Sequence, residues 1–255
     1  MVDAVLPAGG TITQKGQEPI LKALMVVNGS TLLHRAVTSL RSSGLVDRIV
    51  VVGPQEVEKS ALEAGASIVL QAVGGGAENM LAGLDWLTAN DSARRPVAIM
   101  ATDLPFVDTN SISGFVSSIP EGVDVAVPLV HQHEFLARYP GAPASFVRLV
   151  EGNFALTGVY AVNPSAVQRQ REVLTRLFKS RKSQWRTARE VGLRHAFRLV
   201  RGRLSVPEIS AVVTRVFKCS AAAVIGVDAS LAFDIDELDD LEWCREANVG
   251  FEATS

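Results

Sequence analysis

The chain has 255 residues, is 47% hydrophobic and carries a formal net charge of −2. That much apolar material can bury a full core, which excludes a disordered chain, and the slight acidity argues against nucleic-acid binding by the chain as a whole. Two cysteines, Cys219 and Cys244, exclude a disulfide framework or a cysteine-based zinc cluster and point to a reducing compartment. No charged n-region with a small-residue cleavage site opens the chain, and no run approaches 18 apolar residues. The expectation is therefore a cytoplasmic protein with no membrane span.

In chain order, "DAVLP" reads as a buried strand that stops at Gly9 and Gly10. "STLLHRAVTSLRSSG" has helical spacing, with Ser30 as the expected N-cap and Gly44 as the stop. "VDRIVVVGP" is a β-branched strand, "QEVEKSALEAGA" a short helix and "SIVLQA" a third strand. "GGGAENMLAGLDWLTAN" is a glycine turn into a helix, with Trp86 expected in the core. "RPVAIMATDLPFV" is a fourth strand running into a loop, "TNSISGFVSSIP" a helix and "VDVAVPLV" a fifth strand. Strands separated by helices imply βαβ units, a parallel sheet and right-handed crossovers. The strands are apolar throughout rather than alternating, as a sheet covered on both faces requires.

Beyond residue 130 the rhythm changes. "VHQHEF" puts His131 and His133 on one strand face beside Glu134, with no further ligand for a metal. "RYPGAPASF" reads as a Pro-Gly loop that either closes over a substrate or simply turns the chain. "ASFVRLVEGNFALTGVYAV" reads as two antiparallel strands joined around Glu151–Asn153. A basic helical stretch runs from Pro164 to Gly202; Arg169 to Arg203 holds twelve Lys and Arg against two Glu. It reads as solvated charge around a packed helix, as an anion pocket built on Arg181 and Lys182, or as a nucleic-acid contact, the last disfavoured by the acidity of the chain as a whole. With no linker or repeat, residues 1–255 read as one domain. Its nucleotide-binding half would cover about 1–130 and its acceptor half about 131–255, the latter ending in a metal-binding segment.

The chemistry concentrates at the strand ends. In an open parallel sheet ligands bind beyond the carboxyl ends of the strands. The loop "PAGGTITQKGQEPILKAL" places Gly9, Gly10, Lys15 and Lys22 there. Glycines let backbone N–H groups approach an anion, and lysines neutralise its charge. The loop matches neither G-x-G-x-x-G nor G-x-x-x-x-G-K-[ST], which argues against a dinucleotide-binding dehydrogenase and a P-loop NTPase. "MATDLPFV" sets Asp103 on the same rim. "LAFDIDELDDLEW" gathers Asp234, Asp236, Asp239 and Asp240; Asp239 with Glu242 resembles a capping box, which leaves Asp234 and Asp236 sharing one face. Two remote carboxylates near a phosphate loop suit Mg²⁺ bound together with substrate phosphates.

These pieces, with "LKALMVVNGSTLLHRAVTSL", "AENMLAGLDWL" and "DIDELDDLE" in the same order, resemble the MobA-like nucleotidyltransferases (NTP transferases). The resemblance implies a three-layer α/β/α Rossmann-like sandwich of the nucleotide-diphospho-sugar transferase type, with a mostly parallel sheet. It implies an enzyme that transfers NMP from a nucleoside triphosphate to a phosphorylated or anionic small-molecule acceptor, releasing pyrophosphate. It further implies a nucleotide site on Leu6, Pro7, Ala8, Gly9, Gly10, Lys22, Gly75 and Thr102, with Glu78 and Asn79 beside the base or ribose. Mg²⁺ would be held by Asp103 and Asp236, and catalytic charge supplied by Lys22 and Lys15. Lys15 is the candidate substitute for a family loop arginine that this sequence lacks. Arg181 and Lys182 recur in an uncharacterised branch and are the candidate acceptor contacts. Two alternatives stay open: a glycosyltransferase of related fold, whose usual D-x-D is missing from "TDLP", and a nucleotide-binding protein without catalysis.

Overall fold

The structure, a computed structural model, describes residues 1–13, 18–27, 29–90, 95–172, 193–246 and 251–252. The first half alternates as the sequence predicts. Strand β1 (Val2–Pro7) is followed by two short ladders, β2 (Thr11–Ile12) with β3 (Ile20–Leu21) and β4 (Val26–Val27) with β5 (Ser30–Thr31). Then come α1 (Leu32–Ser42), β6 (Val46–Gly53), α2 (Glu58–Glu63), β7 (Ile68–Gln71), α3 (Gly76–Ala89), β8 (Val97–Met100), α4 (Thr109–Ser118) and β9 (Val125–His131). The second half holds α5 (Gln132–Arg138), β10 (Val147–Leu149), β11 (Gly152–Leu156), β12 (Val159–Val162) and α6 (Pro164–Arg169). It continues with α7 (Leu193–Val200), α8 (Val206–Phe217), β13 (Ala221–Ile225), α9 (Leu238–Glu246) and β14 (Phe251–Glu252).

The central sheet is mixed. Strands β7, β6, β1 and β8 run parallel in that order, and β12 lies antiparallel to β8. Strand β9 pairs with β13 along Val125–Leu129 on one edge, so β11 and β12 share its other edge. They are two halves of one strand, broken at Thr157–Gly158. This break shapes the functional rim. A Cβ on Gly158 would stand 2.8 Å from a Leu104 methyl and 3.3 Å from Ala101 Cβ, so only glycine lets the break approach the loop after β8. Gly158 also accepts from Ala101 N–H and donates to Leu231 O, both at 2.8 Å.

Alternation along the strands fills two cores. Ala4 and Leu6 of β1 face the layer of α1, α2 and α4, whereas Val5 faces α3 and α6. Helix α1 buries Leu33, Val37 and Leu40 completely, each worth about 1.5–3 kcal/mol. Trp86 packs at the edge of the core under α3, as expected.

Two sequence expectations need correction. The N-cap of α1 is Thr31, whose hydroxyl accepts from His34 N–H at 3.1 Å; Ser30 lies one residue earlier, and its hydroxyl donates to Thr31 O. His131 and His133 do not share a strand face, because β9 ends at His131 and α5 begins there, with Glu134 accepting from the His131 N–H. In the basic stretch, α6 and α7 are helical as expected. The positions between them, Arg181 and Lys182 included, lie outside the described residues.

Candidate active site

Three backbone arrangements build the site. The β2–β3 ladder folds the first loop back on itself, and the Lys22 N–H donates to Gly10 O at 2.9 Å, which fixes the lysine over the glycines. The loop after β8 carries Asp103. The segment entering α9 carries Asp236, and the Ile235 N–H donates to Asp103 O at 3.1 Å, so the two acidic loops are stitched together. Asp240 secures the second loop, because its Oδ2 accepts from the backbone N–H groups of Asp236 and Glu237 at 2.9 and 2.8 Å. The capping role expected of Asp239 therefore belongs to Asp240, which reaches back from the first turn of α9.

Lys22, Asp103 and Asp236 converge. Lys22 Nζ lies 3.0 Å from Asp103 Oδ2 and 2.6 Å from Asp236 Oδ1, although 81 and 214 residues separate these partners from it. Lys22 is 8% exposed, the Asp103 side chain is largely buried, and the Asp236 side chain is 66% exposed. Burial pulls the Lys22 ammonium down, but the two carboxylates outweigh it and leave the group above its ordinary value. Burial pushes Asp103 up, against the pull of Lys22. Asp234 is raised to about 7 by burial, then by the neighbouring charges of Asp236 and Asp103.

Asp103 Oδ1 is buried and has no hydrogen-bond partner, while Oδ2 serves Lys22. An orphaned carboxylate oxygen beside a second, exposed carboxylate is an acceptor pair that fits a hard divalent cation. Among the described residues no group of three or more His, Cys, Asp or Glu could hold a metal by itself, so phosphate oxygens would have to complete the shell.

A cavity of about 400 Å³ opens between the first loop and α3. Of the expected nucleotide contacts, Pro7, Gly9, Gly10, Lys22, Gly75, Asn79 and Thr102 line it, as does Asp103. Leu6 and Ala8 do not, because both are fully buried in the core behind the loop. Glu78 stays off the lining; its side chain packs against Gly74 and Gly75, close enough that a Cβ on either would meet it at 3.2 Å. Asn79 Oδ1 accepts from Val73 and Gly74 N–H, so this side chain also braces the glycine turn. Lys15 lies outside the described residues.

Sequence reasoning missed the back wall. Met80, Ile99 and Tyr160 line the cavity, and the Tyr160 hydroxyl donates to Met80 Sδ at 3.0 Å. Tyr160 belongs to a strand whose local pattern signals only burial, so nothing in the sequence aims it there. A second cavity of about 560 Å³ is lined by Asp234 and Asp236 together with the Pro143–Val147 loop, and Lys22, which lines the first, pairs with its Asp236.

Residues 4–197 match the MobA-like NTP transferase domain family. A 2-C-methyl-D-erythritol 4-phosphate cytidylyltransferase from Rhodococcus jostii (strain RHA1) is 35% identical over 101 residues, covering 36% of this chain and 44% of that enzyme. The enzyme of the same name from Rhodococcus opacus (strain B4) is 42% identical over 59 residues, covering 23% and 26%. The chain thus spans under half the length of these relatives. In fold, a hypothetical transferase from Thermus thermophilus superposes with a TM-score of 0.81 at 24% identity, covering 94% of this chain and all of that one. A CMP:2-keto-3-deoxy-manno-octonic acid synthetase complexed with CTP superposes at 0.58 and 12% identity, covering 97% and 98%.

Proposed function

Because the chain belongs to the MobA-like NTP transferase family, we propose that it transfers a nucleoside monophosphate from an NTP to a phosphorylated acceptor and releases pyrophosphate. The observation that carries this reading is the convergence of Lys22, Asp103 and Asp236 at the mouth of a glycine-walled cavity. The nucleotide occupies that cavity, with its phosphates against the Gly9–Gly10 loop and the N-terminal turn of α3, where backbone N–H groups favour anions. A phosphate oxygen of the acceptor attacks the α-phosphorus, the bond to the bridging oxygen breaks, and pyrophosphate leaves.

An acceptor phosphate is already ionised at neutral pH, so no general base is required and the protein works by position and charge. Lys22 turns its ammonium from the carboxylates toward the phosphates that meet at the reacting centre and neutralises their charge. Asp103 and Asp236 would hold Mg²⁺, which would supply neutralisation of phosphate charge. Lys15, Arg181 and Lys182 are assigned by the family resemblance to the triphosphate and to the acceptor.

The test is a thermal-shift screen of CTP, GTP, ATP and UTP with and without Mg²⁺. CTP comes first because two relatives are cytidylyltransferases by name. A ligand at about 100 times its Kd stabilises by about 2.7 kcal/mol. Stabilisation by none of the four would refute the reading. Asp103→Asn should cut pyrophosphate release by two orders of magnitude or so while leaving the unfolding temperature close to wild type. Unchanged turnover in that variant removes Asp103 from the mechanism.

A further inference from the structure

The larger of the two cavities lies outside the nucleotide site proposed above, yet an ion-paired cluster links the two. Asp103 lines the first and Asp236 the second, and one ammonium, Lys22 Nζ, touches both carboxylates. The broken strand makes the same division. Thr157 and Gly158 line the first cavity, while Ala155 and Leu156 line the second. A molecule seated in the second cavity therefore has its end within reach of a phosphate held at Lys22.

The lining of this cavity is unlike that of a site for a multiply charged anion. One wall is aromatic, made by Phe135, Phe146 and Phe233. It is stiff: Phe233 packs against Tyr139 and Trp243 with ring centroids 5.1 Å away in each case, and Phe135 lies 5.8 Å from Phe146. The facing wall carries carboxylates. Two of them have work already, Asp236 with Lys22 and Asp240 with the backbone of its own loop. Asp234, Glu237 and Asp239 pair with no cation among the described residues, and no Lys, Arg or His among those residues lines the cavity.

We infer that the second cavity receives the body of the acceptor, and that it selects a body bearing an ammonium or other hydrogen-bond donor over one bearing a second anion. This rests on the nucleotidyl-transfer reading above, and it narrows the acceptor class. The single phosphate of the acceptor sits at Lys22. Its body lies along the phenylalanine wall, with its donors toward Asp234, Glu237 and Asp239. A carboxylate there would face the like charge of Glu237 and Asp239, whereas an ammonium gains both the acidic wall and the aromatic rings. Small concave sites draw specificity in this way, from an apolar wall and a few placed polar groups.

Three probes of nearly equal size isolate the distal charge: phosphoethanolamine, ethyl phosphate and phosphoglycolate. Their binding to the full chain, saturated with Mg²⁺ and a non-hydrolysable NTP, is measured by phosphorus NMR titration. The expected order of affinity is phosphoethanolamine, ethyl phosphate, phosphoglycolate, with about tenfold between first and last. In the double variant Glu237→Gln, Asp239→Asn that span should shrink several-fold. Phosphoglycolate binding as tightly as phosphoethanolamine, binding of none of the three, or an undiminished span in the variant overturns the assignment. NTP binding without any acceptor is read separately by thermal shift. A wrong order with NTP binding intact sinks only the acceptor class, whereas absent NTP binding sinks the function as well.

Discussion

Replacing Lys22 by methionine tests the charge balance at the centre most directly. The side chain keeps its length and its burial but leaves Asp103 and Asp236 facing each other without the ammonium that now touches both, at 3.0 and 2.6 Å. Removing one partner of a buried ion pair costs about 3–5 kcal/mol. Two features lower that figure here. The Asp236 side chain is 66% exposed, so its share is that of a surface pair, at most about 1 kcal/mol. Asp103 is already raised by burial and can take up a proton once the lysine is gone. A net loss of about 2–3 kcal/mol is expected, or roughly 4–12 °C in unfolding temperature for a chain of this size. Because a raised carboxyl binds more protons folded than unfolded, the deficit relative to wild type should shrink as pH falls toward 5. Mg²⁺ should also shrink it, since the variant offers two carboxylates with no competing ammonium, and the variant should bind Mg²⁺ without nucleotide more tightly than wild type does. The assays are thermal unfolding across pH and Mg²⁺ concentration, and calorimetric titration of Mg²⁺. A Lys22→Met protein as stable as wild type, with no added response to Mg²⁺, would refute the claim that Lys22 offsets these two acids.

Asp240→Ala should remove both backbone contacts that hold the Asp236 loop, costing about 1 kcal/mol and raising the Mg²⁺ concentration needed for half-maximal turnover. Asp240→Asn, which keeps an acceptor oxygen, should restore most of that; equal behaviour of the two variants would separate Asp240 from Asp236. Gly158→Ala drives a methyl to 2.8 Å from Leu104, so a loss of about 1–3 kcal/mol is expected in chemical denaturation, together with weaker turnover, because the break in the strand holds both acidic loops. Both tyrosines of the chain, Tyr139 and Tyr160, are pushed by burial up to about 12. The folded protein should therefore show no tyrosinate absorbance between pH 10 and 11. Since the folded state holds protons there that the unfolded state releases, stability should fall as pH rises from about 10 to about 12; ordinary tyrosine titration in the native protein would contradict the packing of both rings.

The alternation of strands and helices through residue 131 was legible because it is a local property. Apolar runs between turn residues, and helical spacing such as Leu33, Val37 and Leu40, need no knowledge of the rest of the chain. The chemical character of the loops was legible for the same reason. Glycines after β1, an aspartate after β8 and an acidic run before α9 stand out whatever their separation, and the structure brings Lys22, Asp103 and Asp236 together. Local pattern failed where two readings share it. Ser30 and Thr31 are both good caps and both lie in β5; the start of α1 at Leu32 decides for Thr31. The apolar run of β9 gives no sign that α5 begins at His131, because the turn is set by the Glu134 bond to the backbone.

What the residues fixed by themselves was a layered α/β fold with a glycine- and lysine-bearing rim and acids assigned to it. Tertiary structure decided which acids meet the lysine, since contacts across 81 and 214 residues follow from strand order and from the break at Thr157–Gly158. It also decided that Tyr160 and Met80 back the cavity between the first loop and α3, and that an aromatic and acidic pocket forms on the Asp236 side of Lys22. A cavity is the space left between elements that share no sequence neighbourhood, so its walls exist only once those elements have packed.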